Sequence, residues 1–289
     1  MSAEPTAPID AAFPPRCVLF FPGTRPDRYA KALATGADRV CLDLEDAVAP
    51  DAKGEARAHA VAILESGADT SRLIVRINHP ATREGRADLS SLTRALDGGA
   101  PRPAAVMVPK VGSATELARV RSDLAGGDVP LVAMIETARG LAAVEKIAEA
   151  DGVGMLLFGG VDLSTELGST TAWDALLYAR SRVVHAAALA HVGAIDFPWL
   201  DAADPHGLVE EATAVRTLGF RGKAAIHPSQ VATIQGVFWP TAAEVERAHR
   251  IVEAAEASAD GVFLLDGVMV DRPVVEAARR VITLAEAGR

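Results

Sequence analysis

Aromatic side chains are scarce in this chain: Phe, Tyr and Trp make up 4% of its 289 residues. A core with so few rings must be built from Ala, Val and Leu, and such small aliphatic packing suits closely wound strand–helix units. Cysteine is scarcer still. Cys17 and Cys41 are the only two, far apart in sequence and outside any cluster with metal-ligand spacing. This argues against a disulfide framework or a thiolate metal site, and reads as two buried thiols in a reducing compartment. No basic run occurs, the net charge is −9 and the pI is about 5.3. General nucleic-acid binding needs a positive footprint, so no nucleic-acid partner is expected, although a local basic pocket for an anionic ligand stays open. No segment approaches the roughly 20 apolar residues of a membrane helix, so no membrane association is expected. The first 15 residues are rich in Pro and Ala, with no Lys or Arg before Arg16 and no apolar core. They read as a flexible N-terminal tail (1–15) and not as a signal peptide, and a soluble cytoplasmic protein is the expectation.

What is present points to one architecture. Hydrophobic residues make up 49% and the mean hydropathy is +0.18, enough for a large core. Eight short apolar runs recur: Val18–Pro22, Val40–Leu44, Leu73–Asn78, Ala105–Pro109, Leu131–Ile135, Met155–Gly159, Ala194–Pro198 and Lys223–Ile226. Each is bounded by Gly, Pro or charge and is nearly continuous in apolarity, as strands buried on both faces should be. Ala-rich helical segments lie between them, among them Arg28–Thr35, Lys53–Glu65, Ala114–Leu124, Leu141–Ala150, Ala175–Ala190 and Leu208–Leu218. Eight such units predict an α/β fold, a closed (β/α)₈ TIM barrel over 16–240, with a doubly wound open sheet as the alternative. The remainder, 241–289, predicts a C-terminal appendage or lid: a helix over Thr241–Ala257, a hairpin turning at Asp266-Gly267, and a helix over Pro273–Ala287.

Barrel active sites sit at the C-terminal ends of the strands. Those ends here carry Arg25 after the first strand; Asp43, Glu45 and Asp46; Arg76 and Asn78; Lys110; Glu136 and Thr137; Asp162; Asp196; and His227. Any one could be a structural ion pair, but eight together point to a built site. Glu136 and Asp162 leave adjacent strands, and two converging carboxylates are how Mg²⁺ is usually held, with water and substrate oxygens completing the octahedron. The plainer reading makes both residues helix caps. Arg76 lies inside a buried strand and needs a carboxylate, either Glu45 or Asp46 or that of a substrate gripped bidentately. Arg25, Lys31, Lys53 and Arg57 could form a phosphate-binding rim or be ordinary solvated helix charges. His227 is expected to be buried, as an acid/base or as a hydrogen-bonded neighbour of the site. Asp271 is either the cap of the last helix or an acid/base carried on the appendage.

With those residues in view, the chain resembles the citrate lyase β-subunit-like family of the HpcH/HpaI aldolase superfamily, whose CoA-ester branch includes malyl-CoA and citramalyl-CoA lyases. The resemblance runs from about Val18 to Ala285. It rests on Phe21-Pro22-Gly23-Thr24-Arg25-Pro26, Asp43-Leu44-Glu45-Asp46-Ala47-Val48, Val75-Arg76-Ile77-Asn78, Val108-Pro109-Lys110, Ile135-Glu136-Thr137, Gly160-Val161-Asp162-Leu163, Gly222 to Pro228, and Asp266 to Asp271. It implies a metal-dependent carbon–carbon lyase with Mg²⁺, or Mn²⁺, on Glu136 and Asp162. It also implies Arg76 as the substrate-carboxylate arginine, with Asp43 beside the substrate and Glu45 and Asp46 as the acidic pair by the metal. Arg25 and Lys31 fall near the CoA phosphates, and Asp271 matches an acid/base that some members lend to a neighbouring subunit. The implied partners are an acyl-CoA and a 2-oxo acid, in a homo-oligomer of three subunits or more. Many members carry an acidic residue where this chain has Val161, and an acidic Asp-Leu-Gly segment where it reads Ser164-Thr165-Glu166. This marks a subgroup and makes transfer of any one member's substrate unsafe. An acyl-CoA thioesterase, a citrate lyase subunit using a carrier-bound thioester and a CoA-free pyruvate aldolase remain the alternatives.

Overall fold

The structure is a computed structural model that describes residues 15–124, 128–258 and 261–286. The expected tail therefore lies outside the described residues except for Pro15, as does Ala287 at the end of the expected last helix. Two compact units divide between Gln235 and Gly236.

The first unit is a closed barrel of eight parallel strands in sequence order: β1 (Cys17–Pro22), β2 (Arg39–Asp43), β3 (Leu73–Arg76), β4 (Ala105–Val108), β5 (Leu131–Ile135), β6 (Val153–Phe158), β7 (Gly193–Asp196) and β8 (Gly222–Ala225), with β8 pairing back onto β1. Nearly every strand residue is buried, because one face meets the bore and the other the helices. Alternation along each strand decides which. Val18, Cys41, Ile74, Ala105 and Met107, Val132 and Met134, Met155 and Leu157, and Ile195 fill the bore as one cluster. Both cysteines are free and buried, and burial raises their thiol pKa.

The helices are α1 (Arg28–Ala34), α2 (Lys53–Glu65), α3 (Arg83–Asp97), α4 (Ala114–Asp123), α5 (Ala138–Ala142), α6 (Val144–Ala148), α7 (Gly160–Leu167), α8 (Trp173–Leu189), α9 (Pro205–Leu218) and α10 (Gln230–Phe238). The sequence expectation of one helix over Leu141–Ala150 is corrected: Ala143 closes α5 and opens α6. Helix starts follow the capping rule, with Thr82, Ser113, Thr137 and Asp204 each accepting a backbone N–H of the first turn.

Two further expectations fail, for different geometric reasons. Asp196 does not join the other strand-end charges, because Ile195 faces the bore and its neighbour must face out. There, fully buried, it accepts from Arg180 at 3.0 Å and Lys223 at 2.7 Å, and both cations also reach Glu211, at 3.2 and 2.6 Å. The Arg180 guanidinium lies 4.8 Å from the centre of the Trp173 ring and 4.9 Å from that of Phe197. His227 lies two residues past β8 and is exposed, not buried, with Nδ1 2.8 Å from the Ser229 hydroxyl.

The second unit pairs α11 (Ala242–Ala257) with α12 (Arg272–Glu286), joined through the hairpin β9 (Phe263–Leu265) and β10 (Val268–Val270). Thr241 and Glu244 form a reciprocal capping box on α11. Asp266 and Gly267 both take positive φ, +52° and +76°, as the expected two-residue turn requires. Ala248, Ile251, Val270 and Ala278 form this unit's own small core. Among the described residues, no helix is long and apolar enough to cross a membrane.

Candidate active site

Alternation also builds the site. Continuing Cys41 and Ile74 by two places puts Asp43 and Arg76 at the C-terminal end of the bore, and continuing Met134 puts Glu136 there. The side chains meet. Arg76 donates to Asp43 through Nε at 2.7 Å and Nη2 at 2.5 Å, its Nη1 lies 3.1 Å from Glu45, and its guanidinium stacks 5.3 Å from the Phe20 ring centre. Of the partners left open by the sequence, Glu45 is thus one and Asp46 is not; Asp43 supplies the bidentate pair. Asp43 also accepts the backbone N–H groups of Glu45 and Ala47, so both its oxygens are engaged and its evident task is to orient Arg76.

Lys110 is the residue the sequence reading underused. It has φ +52°, unusual for a lysine, and this backbone turn points its N–H at Glu136 Oε1, 2.8 Å away. Its ammonium pairs with Glu45 and lies 3.4 Å from Asp46 and 3.3 Å from Asp162. Burial pulls the Lys110 pKa down, but the hydrogen bond to Glu45 and the surrounding acids outweigh it and raise the pKa overall. Glu136 is 3% exposed, and burial, Glu45 and Asp162 together push its carboxyl pKa up to about 8 against the opposing pull of Lys110 and Arg76. Burial raises Glu45 as well.

Neither Glu136 nor Asp162 is a helix cap. Thr137 caps α5, Gly159 precedes α7, and no side chain caps α7. Gly159 has a spatial duty instead: a Cβ there would fall 2.5 Å from Glu136 Oε2. At the departures from the family pattern, Ser164 and Thr165 hydrogen-bond back to the Val161 carbonyl, and Glu166 accepts the Ala138 N–H.

Five acids (Asp43, Glu45, Asp46, Glu136 and Asp162) thus surround two cations, Arg76 and Lys110. Among the described residues no three acids, histidines or cysteines already form a ligand shell; the Lys110 ammonium stands among the carboxylates. An all-oxygen donor set with surplus negative charge fits a hard divalent cation such as Mg²⁺.

The remaining expected residues have partners of their own. Arg25 and Lys31 are exposed and share Asp27, at 2.9 and 3.5 Å. Lys53 and Arg57 are not a phosphate rim. Lys53 donates to the carbonyls of Leu44 and Glu45, bracing the acidic loop, and Arg57 pairs with Glu84 and the buried Asp88. Asp271 belongs to the second unit, where it accepts the Val274 N–H at 3.3 Å, as a cap of α12 does.

Residues 16–228 match the HpcH/HpaI aldolase/citrate lyase family, and residues 171–287 match a family of carbon–carbon bond lyases of the TIM-barrel fold. A (3S)-malyl-CoA thioesterase of Cereibacter sphaeroides is 37% identical over 282 residues, covering 96% of each chain. The mitochondrial citramalyl-CoA lyase of Rattus norvegicus is 31% identical over 295 residues, covering 94% of this chain and 86% of that one. Protein CitE from Mycobacterium tuberculosis, solved with magnesium, acetoacetate and coenzyme A, superposes with a TM-score of 0.82 at 33% identity, covering 94% of this chain and 98% of that one. The same protein with magnesium and pyruvate gives a TM-score of 0.72 at 32% identity, covering 92% and 97%. With its barrel, its acidic mouth and these relatives, the chain belongs to the HpcH/HpaI aldolase/citrate lyase family.

Proposed function

We propose that this protein is a magnesium-dependent lyase that cleaves a 3-hydroxyacyl-CoA, such as malyl-CoA or citramalyl-CoA, into a 2-oxo acid and a short acyl-CoA, or joins them in reverse. The observation that carries the reading is the surplus of acids at the mouth of the bore, with Asp43, Glu45 and Glu136 buried and Asp162 beside them, which a divalent cation would neutralise. The relatives' ligands support it: magnesium, coenzyme A and a small oxo acid share one CitE complex.

In this reading Glu136 and Asp162 hold the cation, which when bound supplies Lewis acidity to the substrate's hydroxyl and carboxylate oxygens. Arg76, fixed by Asp43 and Phe20, turns its remaining donors to the substrate carboxylate and sets its orientation. Glu45 takes the hydroxyl proton. The electron pair of the breaking carbon–carbon bond moves to the carbon beside the thioester, leaving a 2-oxo acid and a thioester enolate. Asp271 then donates a proton to that carbon, and in the reverse direction removes it. Exposed Arg25 and Lys31 are placed by this reading at the CoA phosphates.

A second reading, hydrolysis of the thioester, has a specific ground: the malyl-CoA thioesterase is 37% identical and the citramalyl-CoA lyase 31%. The test is an assay of malyl-, citramalyl- and β-methylmalyl-CoA with 2-oxo acid, acyl-CoA and free CoA all quantified, with and without EDTA. Stoichiometric 2-oxo acid and acyl-CoA, abolished by EDTA, is the expected result. Free CoA without 2-oxo acid would replace the lyase by the thioesterase, and no turnover of any ester would overturn both.

A further inference from the structure

One residue touches every free-standing acid of the site. Lys110 gives its backbone N–H to Glu136 and its ammonium to Glu45, Asp46 and Asp162. The left-handed backbone that makes both contacts possible is one a lysine rarely adopts, so this position is specified by its surroundings. The other cation, Arg76, is committed to Asp43 and Glu45. Lys110 is therefore the mobile positive charge of the cluster. Its side chain is 34% exposed, on a flexible stem, and it touches two acids besides Asp162. Letting go of Asp162 would not strand it.

We propose that Lys110 is a built-in competitor for the divalent cation. Its ammonium neutralises Asp162 while the site is empty of metal and gives that carboxylate up, retreating onto Glu45 and Asp46, when the cation enters. The residue thereby sets how tightly the metal is held and keeps the carboxylates of Glu45, Asp46 and Asp162 from repelling one another before it arrives. This rests on the reading of Glu136 and Asp162 as metal ligands. It makes Lys110 a positioning residue rather than a catalytic one.

The test is Lys110→Met in the full chain, stripped with EDTA and titrated with Mg²⁺ by calorimetry, alongside thermal unfolding in EDTA. A charge removed from within a few ångströms of the ion should tighten Mg²⁺ binding by about tenfold or more. The same variant should melt several degrees lower in EDTA, because the acids have lost their mobile counter-ion. Lys110→Arg keeps the charge and should bind Mg²⁺ within about threefold of the parent. Lys110→Asn serves if the Met variant fails to fold, since Asn tolerates left-handed backbone. A purely structural lysine would lower both stability and affinity, so unchanged or weaker Mg²⁺ binding in the neutral variants overturns the proposal. A parent chain that takes up no Mg²⁺ overturns the metal reading itself, and the competitor with it, and this is seen before any variant is compared.

Discussion

The barrel holds two ionic clusters, one enclosed and one opening to solvent through Asp46, Lys110 and Asp162. On the outer face Arg180 and Lys223 meet Asp196 and Glu211, two cations against two acids. At the mouth of the bore Arg76 and Lys110 meet Asp43, Glu45, Asp46, Glu136 and Asp162. Asp43 and Asp196 each end a strand, and a one-residue change of parity on the strand decides which face such a side chain joins. The outer cluster balances its charge, and the Arg180 guanidinium is enclosed by aromatic rings. The inner cluster does not balance, and a low-dielectric site with uncompensated acids is unstable until something positive arrives. Charge balance and access to solvent together separate a cluster that serves the fold from one that could serve chemistry.

The sharpest way to break the comparison is to remove one acid from each. Asp196→Asn leaves two fully buried cations sharing Glu211 alone, and breaking such a pair costs about 3–5 kcal/mol. Urea unfolding of the variant should show this as a large fall in midpoint with little change in slope. A loss below about 1 kcal/mol would mean that the outer cluster is slack and that balance is not what distinguishes it.

The same substitution at Glu136 should act in the opposite direction. Its carboxyl pKa stands at about 8 in the folded chain against an ordinary value of 4.5. A raised pKa means that the folded state favours the proton. Glu136's contribution to stability is therefore whole below 4.5 and is lost as pH rises through 8. Gln does not titrate, so Glu136→Gln should match the parent near pH 5 and be more stable by about 1–3 kcal/mol at pH 8.5, in EDTA. Turnover should be lost at every pH. A variant less stable than its parent at pH 8.5 would mean that Lys110 and Arg76 already compensate Glu136, and the cluster would then resemble its outer neighbour.

Much of this was legible before any coordinates. Continuous apolar runs fixed the eight strands to within one or two residues at most of their ends, because strands buried on both faces leave so plain a pattern. Glu136, Asp162 and Arg76 were legible from their strand ends and their motifs. Asp196 was misplaced for want of a parity count: Ile195 belongs to the bore pattern, so Asp196 does not. His227 was expected to be buried because it follows an apolar strand so closely, but the chain turns out to solvent at Ile226. The role of Lys110 was hidden for a deeper reason. It depends on a positive φ that no lysine advertises, and on the loop after β2 and the first turn of α7 converging on one ammonium.

The smallest effect is the most specific. Glu136 carries a proton below about pH 8 in the metal-free chain, so a cation binding there must displace it. Burial also raises Glu45, and its charge is one of the causes that raise Glu136, so the two carboxyls are coupled. Mg²⁺ affinity should therefore climb by up to about tenfold per pH unit between pH 6 and 8, about 1.4 kcal/mol per unit, and level off above 8. Titrations in buffers of different ionisation enthalpy should count close to one proton released per Mg²⁺ at pH 6.5 and almost none at pH 9. The outer cluster has no surplus acid to expose, so Mg²⁺ should bring no comparable proton release in Glu136→Gln, where only that cluster remains intact. Affinity that stays flat from pH 6 to 8 in the parent would place the cation on acids already ionised. Glu136 would then be a buried hydrogen-bond acceptor for the Lys110 backbone and not a ligand.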